Sequence, residues 1–361
     1  MTVKKSPGAS TDYARIIGAA RQKIFAGPER LLLNIVSECP LRCSFCYTHS
    51  CLINNRAARP QAMSLSRIRQ IAAAADRWDA RQITLVGRGE PTCHPRFQEI
   101  VAALSSKNRQ ISLLTNATFP ARTACCVAKI ARISVTLCAP DRKNYLKIHS
   151  PAVPGIYDLV IRNMAFLAGL RRKFGKPSTE IVFVLTRETI PLVPAMLAWV
   201  ERTGIDKLRF QPFFPVKETQ NLAPGQKDIK LLSEFCSAYA TRAWSFEHNL
   251  RDIPGQLRSS AISRPARCYE GWFSLYIDSD SSVRYCCLNK HTSIGSLDKN
   301  SLEEIWRSKK AENVRAEWRT PPPQNPAKED YCARCVYVRQ NTLHGKRIDH
   351  ILTRNLGLNV M

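Results

Sequence analysis

The sequence predicts an α/β fold: an open, partial (β/α)6 barrel of parallel strands, followed by a smaller cysteine-rich α+β domain. Three observations predict it. Apolar runs of strand length alternate six times with runs of helical period between positions 31 and 215. The first two apolar runs each end in residues suited to ligand chemistry, a cysteine cluster and a glycine-rich turn with a carboxylate, where parallel sheets present ligands. Cysteines then return from Cys268 onward around a hairpin pattern. The expected division is an N-terminal extension (1–30), the partial barrel (31–215), a helical bridge (216–267), the cysteine-rich domain (268–340) and a C-terminal tail (341–361).

Composition narrows the classes. A chain of 361 residues with 44% hydrophobic residues can bury a large core and one smaller one. No apolar stretch approaches bilayer length, and the first 23 residues hold no apolar export core, so the expectation is a cytoplasmic protein with no membrane partner. Fourteen cysteines in such a compartment read as metal or redox chemistry rather than a disulfide framework. The formal charge of +25 suits an acidic partner. Nucleic acid is one candidate, but the basic residues are spread along the chain and form no block, so a solvated basic surface explains them as well.

In chain order, a helix is expected around Tyr13–Phe25, capped by Ser10 or Thr11. Leu31–Val36 is a buried strand that delivers the chain to Cys39. Helices at Ser64–Trp78, Phe97–Leu104, Arg122–Ile130, Tyr157–Phe174 and Leu192–Arg202 alternate with strands at Ile83–Val86, Ile111–Leu114, Ile133–Leu137, Glu180–Leu185 and Lys207–Gln211. Such alternation argues for parallel strands joined by right-handed crossovers. Asp228–Trp244 has helical spacing in the bridge. Phe273–Ile277 and Val283–Cys287 flank the turn residues Asp278–Ser282 as a hairpin. Ser301–Trp318 is a helix with Ser301 and Glu304 as a capping box.

The loop CPLRCSFCYTHS carries Cys39, Cys43 and Cys46 in a C-x3-C-x2-C run, with Phe45 before the third cysteine. Three thiolates on one loop can hold three corners of an iron–sulfur cube and leave one iron open to a non-protein ligand. A zinc knuckle usually needs four ligands in paired spacing, and His49 is the only nearby histidine. The run resembles the signature of the radical S-adenosylmethionine (radical SAM) superfamily. That resemblance implies a [4Fe–4S] cluster on the three cysteines, S-adenosylmethionine on the open iron, and Phe45 near the adenine. Gly87-Arg88-Gly89-Glu90-Pro91, directly after the second strand, resembles the family's GGEP motif, which grips the cofactor's amino group.

Softer matches follow the same order. Leu114-Thr115-Asn116 resembles the family's TNG stretch, with Ala117 in place of the glycine. Val135-Thr136-Leu137-Cys138 resembles a V-S-L-D pattern: Thr136 keeps the cofactor-facing hydroxyl, and Cys138 stands where an aspartate is common. Cys138 is read either as a small buried thiol or as a hydrogen-atom donor at the barrel mouth. Arg187 and Gln211, after the fifth strand and at the end of the sixth, are candidate cofactor contacts or structural groups.

The C-terminal cysteines Cys268, Cys286-Cys287 and Cys332-x2-Cys335 resemble the SPASM or twitch extension of the same superfamily. Cys268 and Cys286 match its opening C-x9–15-G-x4-C element, with Ser281 in place of the glycine. Position 341 is Asn and none of the 26 residues after Cys335 is a cysteine, so the expectation is one auxiliary [4Fe–4S] cluster on Cys268, Cys286, Cys332 and Cys335. Cys287 is the reserve ligand, and a four-cysteine zinc site has the same ligand types.

The resemblance implies an oxidoreductase-type enzyme. It would reductively cleave S-adenosylmethionine to a 5′-deoxyadenosyl radical and abstract a hydrogen atom from a substrate C–H bond, fed by a donor such as flavodoxin or ferredoxin. Only 38 residues precede Cys39, which tips the expected substrate towards a small molecule, sugar- or aminocyclitol-like, or a short peptide without leader recognition. Peptide maturation or epimerisation, RNA modification, and a non-enzymatic zinc or iron–sulfur protein are the rivals.

Overall fold

The computed structural model of the chain describes residues 7–53, 61–151, 153–258, 267–287, 292–319, 335 and 338–356. It opens with α1 (Pro7–Arg21) and then alternates as β1 (Arg30–Asn34), α2 (Leu65–Arg77), β2 (Gln82–Val86), α3 (Phe97–Leu104), β3 (Gln110–Thr115), α4 (Ala124–Val127) and β4 (Arg132–Thr136). Next come α5 (Arg142–His149), α6 (Ile156–Phe174), β5 (Ser178–Leu185), α7 (Val193–Thr203) and β6 (Lys207–Pro212). The bridge holds α8 (Gln226–Ala238), β7 (Glu247–His248) and α9 (Ile253–Arg258). The last part holds α10 (Glu270–Phe273), β8 (Ser274–Ile277), β9 (Ser282–Arg284), β10 (Gly295–Ser296), α11 (Leu302–Arg307), α12 (Lys309–Arg319) and α13 (Val338–Leu356).

Among the described residues all strands join one ten-stranded sheet in the order β10-β9-β8-β1-β2-β3-β4-β5-β6-β7. Strands β1 to β6 lie side by side and parallel, as expected. The cysteine-rich segment is not a separate layer. Its hairpin β8–β9 extends the sheet, with β8 parallel to β1 from Arg30↔Ser274 to Leu33↔Ile277. On the outer face, Leu31, Leu33, Ile83, Leu85, Leu113, Ile133, Val135, Ile181, Phe183, Leu208 and Phe210 are fully buried beneath the helices. The alternate residues face the barrel interior and are partly open: Thr84, Ser112, Ser134, Thr136, Glu180, Arg209 and Gln211 are half-buried. A polar, accessible inner face is what an enzyme barrel needs.

Several elements differ from the sequence expectation. Helix α1 starts at Pro7 rather than near Tyr13, and Gln22 with φ 57° ends it before Phe25. The expected helix at 122–130 shrinks to the four residues of α4 after a 3-10 turn, because Pro120 and the short span to β4 leave no room for more. Helix α5 was not anticipated; Asp141 caps it by accepting from Asn144 N–H at 3.0 Å. The bridge helix stops at Ala238 instead of Trp244. The expected helix at 301–318 has the predicted capping box but breaks at Ser308 into α11 and α12. Cys286 and Cys287 follow β9 instead of lying within it.

The segment expected as a tail is mostly helix α13, which packs against α1. Its Asn341 Oδ1 accepts the Tyr269 N–H at 2.6 Å, and its His344 ring stacks on Phe273 at 3.8 Å. Burial, with the charges of Arg30 and Arg347, holds the His344 imidazole down to about 3. The unfolded chain therefore binds a proton near pH 6 that the folded chain refuses, so stability is complete above about 6.5 and falls as pH drops towards 3. His344→Phe should reduce the stability lost between pH 7 and 5 by about 1–2 kcal/mol, read by denaturant unfolding at both pH values.

Candidate functional site

The loop after β1 is stapled to the end of α5. Arg42 N–H donates to His149 O at 3.2 Å and Ser44 N–H to Ile148 O at 2.8 Å, while Ser50 Oγ closes the loop on Ser44 O at 2.7 Å. Within it each cysteine sulfur meets N–H groups. Asn116 Nδ2 lies 3.5 Å from Cys39 Sγ, and His149 Nδ1 lies 3.2 Å from Cys43 Sγ. Thr48 and His49 N–H groups donate to Cys46 Sγ at 3.4 and 3.2 Å. Burial, then the neighbouring Cys46 and Cys39, push the Cys43 thiol well above its ordinary value, and Cys39 is raised chiefly by burial too. Raised in this way, the Cys39 and Cys43 thiols favour their protonated forms, and binding a cluster would expel those protons.

The glycine-rich turn lies against this loop. A Cβ on Gly89 would stand 2.2 Å from Glu38 O, so only glycine fits, and Glu90 N–H donates to that same carbonyl at 2.8 Å. Pro91 opens a 3-10 turn that Glu90 caps. The Glu90 carboxylate is buried and engaged by the chain. Oε1 accepts from Thr92 N–H (3.1 Å), Thr92 Oγ1 (2.7 Å) and Thr115 Oγ1 (2.7 Å), and Oε2 accepts from Asn116 N–H at 2.7 Å. It thus ties the end of β2 to the end of β3 and fixes the Asn116 that reaches Cys39. One lone pair on Oε2 remains for a ligand. Tyr145 Oη, buried beside Cys43, Cys39 and Glu90, finds no hydrogen-bond partner among the described residues.

Phe45 packs edge-on against His149 with centroids 5.7 Å apart. Thr136 and Gln211 stand on the inner face, whereas Arg187 is exposed and lines a groove of about 630 Å3 with Lys147, Glu188, Gln226, Lys227 and Asp228. Cys138 follows the carboxyl end of β4, close to Cys43. It is fully buried, its sulfur accepts the Val184 N–H at 3.3 Å, and its pKa is pushed up to about 12 by burial. A hydrogen-atom donor must touch substrate, so the buried-thiol reading is the one the geometry carries.

Two left-handed residues sit where the family patterns have glycine: Ala117 at φ 60° and Ser281 at φ 67°. The glycines are a backbone requirement that this chain meets with strained side-chain residues. Ser281→Gly should stabilise the fold by about 0.5–1 kcal/mol, and Ala117→Gly by less because it also gives up a buried methyl; thermal unfolding reads both.

Sequence reasoning missed a buried hub. Asp278, read as a turn residue, is fully buried. It accepts from Asn34 Nδ2 (2.6 Å), Ser279 N–H (2.8 Å), Arg284 Nη1 (3.1 Å) and Arg88 Nη2 (3.0 Å). Asn34 Oδ1 in turn accepts the Arg88 N–H at 3.2 Å, so the hairpin and the glycine-rich turn share one polar network. Among the auxiliary candidates, Cys268, Cys286, Cys287 and Cys335 are half-buried, and Cys332 lies outside the described residues. Cys287 lies close to Tyr47: burial, then the charges of Cys287 and Cys46, raise that phenol.

The family model of the radical SAM superfamily matches residues 33–187, which span this loop, this turn and strands β1 to β5. The chain carries a radical SAM domain over these residues. A second family model, the SPASM iron–sulfur cluster-binding domain, matches residues 268–336. Radical SAM domains bind a [4Fe–4S] cluster and S-adenosylmethionine, and SPASM domains bind auxiliary iron–sulfur clusters. The three thiols of the radical SAM loop, each near an N–H group, fit such a cluster. The fold is shared with solved structures. Streptococcus suis SuiB is 15% identical at TM-score 0.63, covering 88% of this chain and 75% of that one. The anSMEcpe structure with bound AdoMet is 18% identical at TM-score 0.61, covering 92% and 96%. A curated relative, the tungsten-containing aldehyde ferredoxin oxidoreductase cofactor-modifying protein of Pyrococcus furiosus, is 24% identical over 199 residues. That match spans about half of each chain, 53% of both. Among the described residues no helix is long and apolar enough to cross a membrane.

Proposed function

We propose that this radical SAM protein is an oxidoreductase-type enzyme that modifies a C–H bond of an acidic small molecule or short peptide. The observation that carries the reading is convergence: the Cys39–Cys46 loop, the Gly87–Glu90 turn and Asn116 meet at the carboxyl ends of three adjacent strands. When bound, a [4Fe–4S] cluster and S-adenosylmethionine supply one-electron reductive cleavage to a 5′-deoxyadenosyl radical, the hydrogen-abstracting agent.

The chain's own residues do the rest. Cys39, Cys43 and Cys46 hold the cluster, and the N–H groups of Thr48 and His49 offset negative charge on Cys46. Gly89 lets the turn lie on the loop, and Glu90 keeps Asn116 against Cys39 while offering its remaining Oε2 lone pair to the cofactor's ammonium. Gly87, Pro91 and Thr115 shape that pocket, Phe45 would flank the adenine of the bound cofactor, and Thr136 and Gln211 line the interior. The charge of +25 supports an acidic substrate, whereas the groove around Arg187 sets Lys147 and Lys227 beside Glu188 and Asp228, with Lys147 paired to Glu188 at 3.0 Å. The bound precursor peptide SuiA in SuiB and the Cp18Cys peptide in anSMEcpe support the peptide arm. Cys268, Cys286, Cys332 and Cys335 are the proposed ligands of one auxiliary [4Fe–4S] cluster suited to electron transfer. An external donor of flavodoxin or ferredoxin type completes the system.

The test is anaerobic reconstitution of the full chain with S-adenosylmethionine and dithionite, reading 5′-deoxyadenosine by chromatography. Its formation is expected; none at all, with acidic peptides or without, sinks the proposal. Iron content should be about eight per chain and fall to about four in Cys268→Ala.

A further inference from the structure

His149 belongs to no motif in the sequence, yet it sits behind the first cysteine loop with both ring nitrogens engaged. It is the last residue of α5, fully buried, stacked on Tyr145 at 4.5 Å and edge-on to Phe45 at 5.7 Å, so the ring cannot turn. Nε2 lies 3.0 Å from the backbone N of Cys138. A backbone N–H can only donate, so Nε2 presents its lone pair, and the single ring proton of the neutral imidazole is on Nδ1. Nδ1 lies 3.2 Å from Cys43 Sγ. The bond therefore runs from Nδ1–H to the sulfur. The same helix end also accepts the Arg42 and Ser44 N–H groups through the His149 and Ile148 carbonyls, which fixes the backbone on both sides of Cys43.

We propose that His149 is a positioning residue that donates Nδ1–H to the Cys43 sulfur and thereby eases one-electron reduction of the cluster held by the loop. The inference rests on the proposed ligation by Cys39, Cys43 and Cys46. Its physics is direct: the electron accepted from an external donor spreads onto the ligand sulfurs, and a fixed hydrogen bond stabilises that added negative charge. Cys138 then has a defined part. Its backbone N–H sets the tautomer, and its buried thiol, holding the Val184 N–H, locks that backbone between β4 and β5.

The experiment compares wild type, His149→Phe and His149→Gln as reconstituted full chains. It measures iron per chain and the midpoint potential of the first cluster, by dithionite titration followed by electron paramagnetic resonance, in a Cys268→Ala background. Phe keeps the ring and removes the donor, while Gln keeps an N–H for Cys43 and an acceptor for Cys138. The expected result is a roughly tenfold less favourable reduction in His149→Phe, about 59 mV more negative for one electron, with His149→Gln close to wild type. Loss of iron in Phe with retention in Gln supports the same conclusion. Equal potentials in all three proteins overturn it, as does a Gln variant that shifts or loses iron as Phe does. Absence of iron from the Cys268→Ala parent would instead fail the underlying assignment of the first cluster.

Discussion

Cys43→Ala should abolish 5′-deoxyadenosine formation and remove the first cluster's iron, about four atoms per chain, while leaving the fold intact. The size of the effect follows from geometry. Cys43 is the central thiol of the loop, flanked by the two residues stapled to α5, and nearby Cys138 is locked in place by the Val184 N–H it accepts. The fold should survive because the loop is held by backbone hydrogen bonds from Arg42 and Ser44, which alanine keeps. The measurements are iron content, product formation and circular dichroism. Retained product formation by Cys43→Ala would remove Cys43 from the cluster.

Asp278→Ala should cost about 3–5 kcal/mol of stability, read by denaturant unfolding, because it strands a buried guanidinium. The Arg284 side chain is 8% exposed, and its Nε finds no partner among the described residues. Asn34 loses its acceptor in the same step, and it is fully buried at the end of β1. Arg88, at 31% exposed, is screened by solvent, so Arg88→Met should cost no more than about 1 kcal/mol. The contrast between the two variants is the test. Similar small losses would mean that the hairpin and the glycine-rich turn are not energetically joined.

The legible parts of the site were those whose chemistry is local in sequence. Cys39, Cys43 and Cys46 lie on one loop, and Gly89 is demanded by a backbone contact that nothing larger than hydrogen allows. The six-strand alternation was legible because burial repeats with period two in strands and 3.6 in helices. His149, Asn34, Asp278 and Arg284 were not legible. Each is unremarkable in its own segment and acquires meaning from a partner far along the chain: 106 residues from His149 to Cys43, and 244 from Asp278 to Asn34. Cys138 left two readings open in the sequence for the same reason, since its position after β4 fits the mouth and only packing buries it.

By itself, the sequence determined the parallel α/β alternation, the two cysteine sets, the glycine-rich turn and the resemblance to radical SAM domains, because spacing along a chain dictates periodicity and the chemistry of neighbouring side chains. Tertiary structure alone decided that the β8–β9 hairpin joins the barrel sheet at β1, that Glu90 spends most of its carboxylate on Thr92, Thr115 and Asn116, and that a histidine faces Cys43. The physical reason is that hydrogen-bond partners and burial depend on which strands become neighbours, and strand order is a property of the folded sheet.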